Sequence, residues 1–405
     1  MERLMSKREF LKKSLVILGG GLASLWGFGS LCGCQVDAST PAERPYGATP
    51  EPRAEVPFYR PLAEKAVQCE ICFRRCVVKE DKLGFCRNKK NVGGRLYNLV
   101  YGHPCALQID PIEKEPVFHM LPGSRIFCIG TASCNFRCKF CQNWEMSQRT
   151  MWELINYDIT PEEVVDKAIE NKCESVSFTY NEPIAFYEFM FDVARLARQK
   201  GLYAIFHTNG TLNPEPLFAI LELMNAVTVD LKGFTTEFYR RYCEGELIPV
   251  LETLRNIRKT DTHLEIVNLV IPSGNDDLDD IRRMCIWIRD NLGDDVPLHF
   301  TRFFPAYKLQ RLEATPIETL EAAARIADEV GLKFVYIGNV PGHRRNSTFC
   351  PRCGEALITR VHFAVLEMRI ENGCCPFCGE GIPGIWLSLI HISEPTRLGM
   401  ISYAV

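Results

Sequence analysis

The stretch Gly130-Thr131-Ala132-Ser133-Cys134-Asn135-Phe136-Arg137-Cys138-Lys139-Phe140-Cys141 sets three cysteines on one short loop at Cys-x3-Cys-x2-Cys spacing. It follows a continuous apolar run, 125–131, that reads as a buried strand. Three thiolates on one loop can each take one iron of a cubane iron–sulfur cluster, which leaves the fourth iron open to a substrate. An open metal position marks a catalytic site rather than a structural one. The other readings are a zinc loop or three plain buried thiols. Zinc wants a fourth ligand nearby, and none follows at once. Cys128, upstream on the strand, reads as core.

Outward from this loop, further apolar runs recur at 175–180, 203–208, 226–231, 264–270, 297–303 and 333–338, separated by amphipathic segments such as 160–171 and 183–200. Thr160-Pro161-Glu162-Glu163 is a good helix start, with Thr at the N-cap, Pro in the first turn and acids behind it. Strand–helix alternation with near-continuous apolar strands predicts an α/β fold with a parallel sheet. Six or seven repeats in about 215 residues predict a partial (β/α)6-type parallel barrel rather than a full eightfold one. Chemistry in such folds sits at the C-terminal strand ends. The second run leads into Tyr180-Asn181-Glu182-Pro183, the third into His207-Thr208-Asn209-Gly210 and the fourth into Asp230-Leu231-Lys232-Gly233. Glu182 reads either as a ligand-binding carboxylate or as an acid favoured at a helix N-terminus. Asp230 reads either as a ligand contact or as the partner of Lys232 in a salt bridge. His299 and Arg302 are expected to alternate on a strand and could point inward, although a lone strand histidine is more often a satisfied core residue.

The chain has 405 residues, enough for two to three domains. With 46% hydrophobic and 24% charged residues, global disorder is excluded. A net charge of −3 argues against a polybasic nucleic-acid or membrane surface, so no nucleic-acid partner is expected. The 19 cysteines cluster at metal-ligand spacing rather than as a disulfide framework. Upstream, Cys69, Cys72, Cys76 and Cys86 follow one another as x2, x3 and x9, with Gly84 for a turn. Zinc is their simplest occupant, a second iron–sulfur cluster the next, and disulfides the bland alternative. Downstream, Cys350-Pro351-Arg352-Cys353 and Cys375-Pro376-Phe377-Cys378 form two knuckles, each followed by glycine, and read as a zinc ribbon with 359–370 as strand between them. Cys374 is spare, and Cys105, Cys173, Cys243 and Cys285 read as isolated buried thiols.

The ends differ in character. Arg3, Lys7, Arg8, Lys12 and Lys13 precede an uncharged run from Ser14 to Gln35. Residues 6–12 resemble a twin-arginine export signal, and Leu31-Cys32-Gly33-Cys34 resembles a lipoprotein cleavage box with Cys34 lipidated. Export or membrane anchoring is expected, the alternative being a cytoplasmic protein with an apolar leader. The expected organisation is a leader at 1–37, a Pro-rich linker at 38–66, a Cys-rich module at 67–120, a core at 121–345, a zinc-ribbon-like module at 346–386 and a non-native tail at 387–405. The tail resembles translated adapter read-through.

The cysteine loop is similar to the signature of the radical S-adenosylmethionine (SAM) superfamily. The stretches 110–116, 141–145, 180–183, 302–307 and 338–343 resemble the AmmeMemoRadiSam-system radical SAM enzymes, relatives of the pyruvate formate-lyase-activating enzymes. The likeness covers 67–386. It implies a [4Fe-4S] cluster on Cys134, Cys138 and Cys141 whose open iron binds the methionine moiety of SAM. Reductive cleavage to a 5′-deoxyadenosyl radical and hydrogen abstraction from a substrate would follow, with the cofactors performing the hard step. It further implies that Phe140 packs near the adenine and that Glu182 holds the methionine ammonium, although the family's Gly-Gly pair is missing there. Asp230, in an Asp-Leu-Lys element like that of the activases, would contact SAM or substrate. The implied partners are a low-potential electron donor, a protein substrate in the activase version, and AMMECR1-like or Memo-like proteins. The resemblance designates no catalytic side chain. The rival reading from another class is a membrane-tethered zinc and iron–sulfur scaffold or electron carrier.

Overall fold

A computed structural model describes residues 43–44 and 53–386. The expected leader and tail lie outside the described residues, as does most of the linker up to residue 52. Among the described residues, no helix is long and apolar enough to cross a membrane.

The core is one eight-stranded sheet. Its strands are β1 (Ala106–Pro111), β2 (Arg125–Gly130), β3 (Ser175–Phe178), β4 (Tyr203–Thr208), β5 (Ala226–Asp230), β6 (His263–Val270), β7 (Leu298–Arg302) and β8 (Val335–Gly338), and they lie side by side in that order. From β2 to β8 every pairing is parallel. All seven expected runs therefore become the parallel strands. Their near-continuous Val, Ile and Phe residues are buried because helices cover one face while the other lines the barrel interior. The main crossover helices are α1 (Pro161–Glu170), α2 (Tyr187–Gln199), α3 (Pro214–Leu221), α4 (Leu247–Ile257), α5 (Leu278–Leu292) and α6 (Ile317–Val330), one for each of the six parallel connections. At the start of α1, Thr160 Oγ1 accepts the Glu163 amide at 3.2 Å, and the Glu163 carboxylate accepts the Thr160 amide at 2.8 Å. This is the reciprocal cap that the sequence predicts.

Strand β1 runs antiparallel to β2, from Ala106 opposite Gly130 to Pro111 opposite Arg125. The apolar-run reading missed it, because a half-exposed edge strand carries Gln108 and Asp110 between its apolar residues. The sheet does not close: β1 and β8 are its two edges. The seam between them is filled by side chains. Phe118, beyond β1, packs edge-to-face on Tyr336 of β8, with ring centroids 4.8 Å apart. The backbone amides of Phe118 and His119 donate to Glu265 of β6 at 2.9 and 2.7 Å.

Two three-stranded antiparallel sheets precede β1. One holds Tyr59–Pro61, Val67–Cys69 and Val77–Val78, and the other holds Ala54–Glu55, Lys89–Val92 and Arg95–Asn98. Val67, Val78 and Leu96 are buried into the main core. After β8 comes a third such sheet of Thr348–Phe349, Ala356–Val361 and Ala364–Met368. The expected single strand over 359–370 is therefore corrected to a hairpin that turns at His362, in the left-handed region, and Phe363. Neither residue is a turn former, so the alternating pattern runs through the turn without a visible break. Arg360 of this hairpin is fully buried against the seam. Its guanidinium donates to the Phe118 carbonyl at 2.7 Å and to Thr348 Oγ1 at 2.8 Å, and lies 3.4 Å from Glu113.

Candidate active site

Gly130 ends β2 where a side chain has no room: a Cβ there would lie 2.9 Å from Met146 Cε and 3.1 Å from the Thr179 carbonyl. The cysteine loop begins there. Asn181, just past β3, clamps it by accepting the Thr131 amide at 3.1 Å and donating to the Ser133 carbonyl at 2.7 Å. Cys134, Cys138 and Cys141 then line one cavity of about 480 Å³ at the C-terminal strand ends. That volume is within the usual range for a small-molecule site. The same cavity is lined by Phe140, Glu182, Asp230, Lys232, His207 and His299, and by Asp110, Glu115 and the hairpin residues His362 and Phe363.

Cys134 and Cys138 are buried and Cys141 half-buried, all among weak partners. Cys134 Sγ accepts the Phe136 amide at 3.3 Å, and Cys141 Sγ lies 3.2 Å from Ser147 Oγ. Cys138 is held well above the ordinary thiol range, first by a hydrogen bond with Cys243 and then by burial. Burial pushes Cys141 up to about 11. Soft sulfur donors kept protonated until a metal displaces the protons, with no fourth cysteine on their loop, suit a cubane bound at three corners. Cys243 therefore is not isolated, as its lone place in the sequence suggests. A turn of π-helix at Tyr239–Cys243 folds it back onto the loop, and the Cys243 carbonyl accepts the Arg137 amide at 2.9 Å.

Glu182 is buried, and both readings of it meet at one place. It caps the short helix Pro183–Phe186, with Oε1 3.4 Å from the Ile184 amide. It also accepts from Thr208 Oγ1 at 2.7 Å and from the Asn209 amide at 2.6 Å. Burial raises its carboxyl to about 7 despite those donors. Asp230 forms the anticipated pair with Lys232, at 2.7 Å, and its other oxygen lies 3.2 Å from His207 Nε2. Burial alone would push Asp230 up, but Lys232 and His207 outweigh it and hold the carboxyl below its usual range. Phe140 is buried 6.0 Å from the Phe238 ring, with Lys232 Nζ 5.9 Å from its own ring.

Of the strand pair His299 and Arg302, only His299 faces the interior, where its Nε2 meets Glu265 at 2.6 Å. The inward expectation for Arg302 is corrected. Residues three apart on a strand point to opposite faces, and Arg302 turns away to donate to the Thr315 carbonyl at 2.7 Å. The apolar pattern also gave no role to Asp110, Glu115 and Tyr180. Tyr180 donates to Asp110 at 2.7 Å, and burial raises Glu115 to about 6. Both acids lie in the stretch 110–116, so the resemblance was the one signal that could have found them.

Among the described residues, only Cys350, Cys353, Cys375 and Cys378 bring three or more metal-ligating atoms all within 4.8 Å of one another. Cys350 and Cys378 sulfurs lie 3.5 Å apart, and those of Cys353 and Cys375 lie 3.7 Å apart. These edges match the roughly 3.8 Å edge of a tetrahedron with 2.3 Å zinc–sulfur bonds.

A family model described as the Radical SAM superfamily matches residues 128–285, which span the cysteine loop and the strand ends around it. The chain belongs to the radical SAM superfamily, whose members use a [4Fe-4S] cluster and SAM. Among its relatives, an uncharacterized protein of Methanocaldococcus jannaschii is 44% identical over 330 residues, which is 81% of this chain and 98% of that one. The pyruvate formate-lyase-activating enzyme of Listeria monocytogenes is 22% identical over 237 residues, covering 52% of this chain and 92% of the enzyme. The crystal structure of a domain of pyruvate-formate lyase-activating enzyme from Bacteroides vulgatus is 18% identical, with a TM-score of 0.37, over 41% of this chain and 99% of that one.

Proposed function

We propose that this chain is an enzyme that cleaves SAM reductively and takes a hydrogen from a substrate held in the same cavity. The observation that supports it best is the convergence on one 480 Å³ cavity of three cysteines from one loop with Glu182 from one strand end and Asp230 and Lys232 from another. When bound, the cluster supplies the electron that breaks the sulfonium S–C5′ bond. The chain's own residues bind and orient. Glu182 is the carboxylate that receives the methionine ammonium, Phe140 offers an apolar face to the adenine, and Asp230 is kept ionised by Lys232 for a polar group of the nucleoside or substrate. Asp110, Glu115 and His207 make part of this cavity polar, suited to a substrate that presents hydrogen-bonding groups near the abstracted hydrogen. In the activase version that substrate is a backbone glycine of a partner enzyme, with an AMMECR1-like or Memo-like protein as associate and a low-potential carrier as reductant. Anaerobically reconstituted protein given dithionite and SAM should release 5′-deoxyadenosine. No such product from protein with a full cluster would overturn the proposal. A radical signal on a co-encoded polypeptide tests the activase version alone.

Glu182 makes the affinity for SAM depend on pH. A carboxyl raised to about 7 is mostly neutral at pH 6 and mostly ionised at pH 8. Only the ionised form attracts the ammonium, so affinity should rise by roughly tenfold from pH 6 to pH 8 and then level off. Before SAM binds, the same shift acts on stability with the opposite sign. The native state keeps its proton longer than the unfolded chain, so this group favours folding below its ordinary value and loses that contribution as pH rises through about 7. Glu182→Gln should weaken binding about ten- to a hundredfold at pH 8 and flatten the profile. Calorimetric titration of SAM into unreduced, cluster-loaded protein measures both. An unchanged profile in the variant would assign the ammonium to another group.

A further inference from the structure

The four upstream cysteines gather at one place. Cys69, Cys72, Cys76 and Cys86 line a single small cavity together with Arg74, Lys89, Asn135, Ile184 and Ala185. All four are free thiols, with Cys69 buried and the others half-buried. Yet no three of their sulfurs fall within 4.8 Å of one another, whereas the four C-terminal thiols do. The Cys134, Cys138 and Cys141 sulfurs likewise form no group that close. Zinc wants a tetrahedral edge of roughly 3.8 Å. The cysteine sulfurs around a cubane stand about 6 Å apart, because four irons and their bridging sulfides lie between them.

Charge points the same way. A four-thiolate cubane in its oxidised form carries two negative charges, which a buried site must compensate. Lys89 is buried and lines the same cavity, its ammonium 2.6 Å from Glu188. The Arg74 guanidinium, pinned to the Asn135 carbonyl at 2.7 Å, lines it as well.

Position adds the third argument. Asn135 follows Cys134 directly, and its Oδ1 lies 3.8 Å from the Cys134 sulfur. The same side chain lines the cavity of the four upstream cysteines. The Phe73 amide donates to the Thr211 carbonyl at 3.0 Å, and Asn213 Nδ2 donates to the Cys72 carbonyl at 3.0 Å, docking the module on the loop after β4. One side chain therefore separates the two sulfur sets.

We infer that Cys69, Cys72, Cys76 and Cys86 hold a second [4Fe-4S] cluster, which relays electrons past Asn135 to the cluster of the Cys134 loop. The relay half rests on the function proposed above; the cluster half does not. A low-potential one-electron carrier reduces the second cluster by one electron, and that cluster is reoxidised as it passes the electron on. No bond forms or breaks, and no proton moves.

The test uses the full chain, reconstituted anaerobically with iron and sulfide. Wild type should hold about eight irons, and the triple variant Cys134→Ala/Cys138→Ala/Cys141→Ala about four. Dithionite should give that triple variant a cubane electron paramagnetic resonance signal that SAM does not alter. No iron in the triple variant, zinc in its place, or recovery of the four upstream thiols as disulfides would overturn the assignment. Cys72→Ser/Cys86→Ser should lower the ratio of ferredoxin-driven to dithionite-driven 5′-deoxyadenosine formation at least tenfold. An unchanged ratio would overturn the relay. Should wild type with both clusters fail to cleave SAM, the function falls while the SAM-insensitive signal of the triple variant still decides the second cluster.

Discussion

Cys138→Ala should abolish 5′-deoxyadenosine formation, a loss of at least roughly a hundredfold, since even the outer partners of metal ligands cost ten- to a hundredfold. Cys138 sits between the other two ligands on the loop, and its thiol is buried against Cys243 and within the field of Lys232. Alanine leaves two sulfurs for a cubane that needs three, so iron at this loop should fall with the activity. The matched comparison is Cys243→Ala. It removes the thiol that hydrogen-bonds Cys138 but leaves all three ligands, so iron should be retained and turnover should change by less than about tenfold. Iron content with single-turnover product assays reads both. If Cys138→Ala kept a full cluster and its turnover, the loop would not be the reacting centre.

The second large effect is on stability. Arg360 and Glu113 are a fully buried pair, and Arg360 also satisfies the Phe118 carbonyl and Thr348. Arg360→Met keeps most of the volume but strands the Glu113 carboxylate. Removing one partner of a buried pair costs about 3–5 kcal/mol, which should lower the midpoint of thermal unfolding by roughly 10 °C. Burial already raises Glu113 above its ordinary range even with Arg360 present. The deficit of the variant should therefore shrink as pH falls and Glu113 takes up a proton. Adding Glu113→Gln should restore much of the loss at neutral pH. A double variant no more stable than Arg360→Met would show that the other contacts of the guanidinium carry the effect.

Much of this molecule was legible in the chain. The seven parallel strands announced themselves because strands buried on both faces need unbroken apolar runs. The cysteine loop was legible because its ligands are local in sequence. What escaped notice depends on distant approach. Strand β1 is half-exposed and shows no such run, and Cys243 meets Cys138 only through a π-turn a hundred residues on. The turn at His362 and Phe363 carries no turn chemistry, and Arg302 was placed on the wrong face by a spacing of three. Glu113 and Arg360, nearly 250 residues apart, gave no sign of their pairing.

The open edge between β1 and β8 bears on how a large substrate reaches the reacting centre. A hydrogen-bonded ladder resists parting along its whole length. Across this join no strand pairs with strand; side chains hold it, Phe118 on Tyr336 and Glu265 and Arg360 on the Phe118 backbone. Parting that side would unzip no strand ladder, and the staves that carry the sulfur ligands would stay hooped together by theirs. In the activase version of the proposed function, that side is the way in for a loop of another polypeptide, where a fully closed cask would admit only what fits through its mouth.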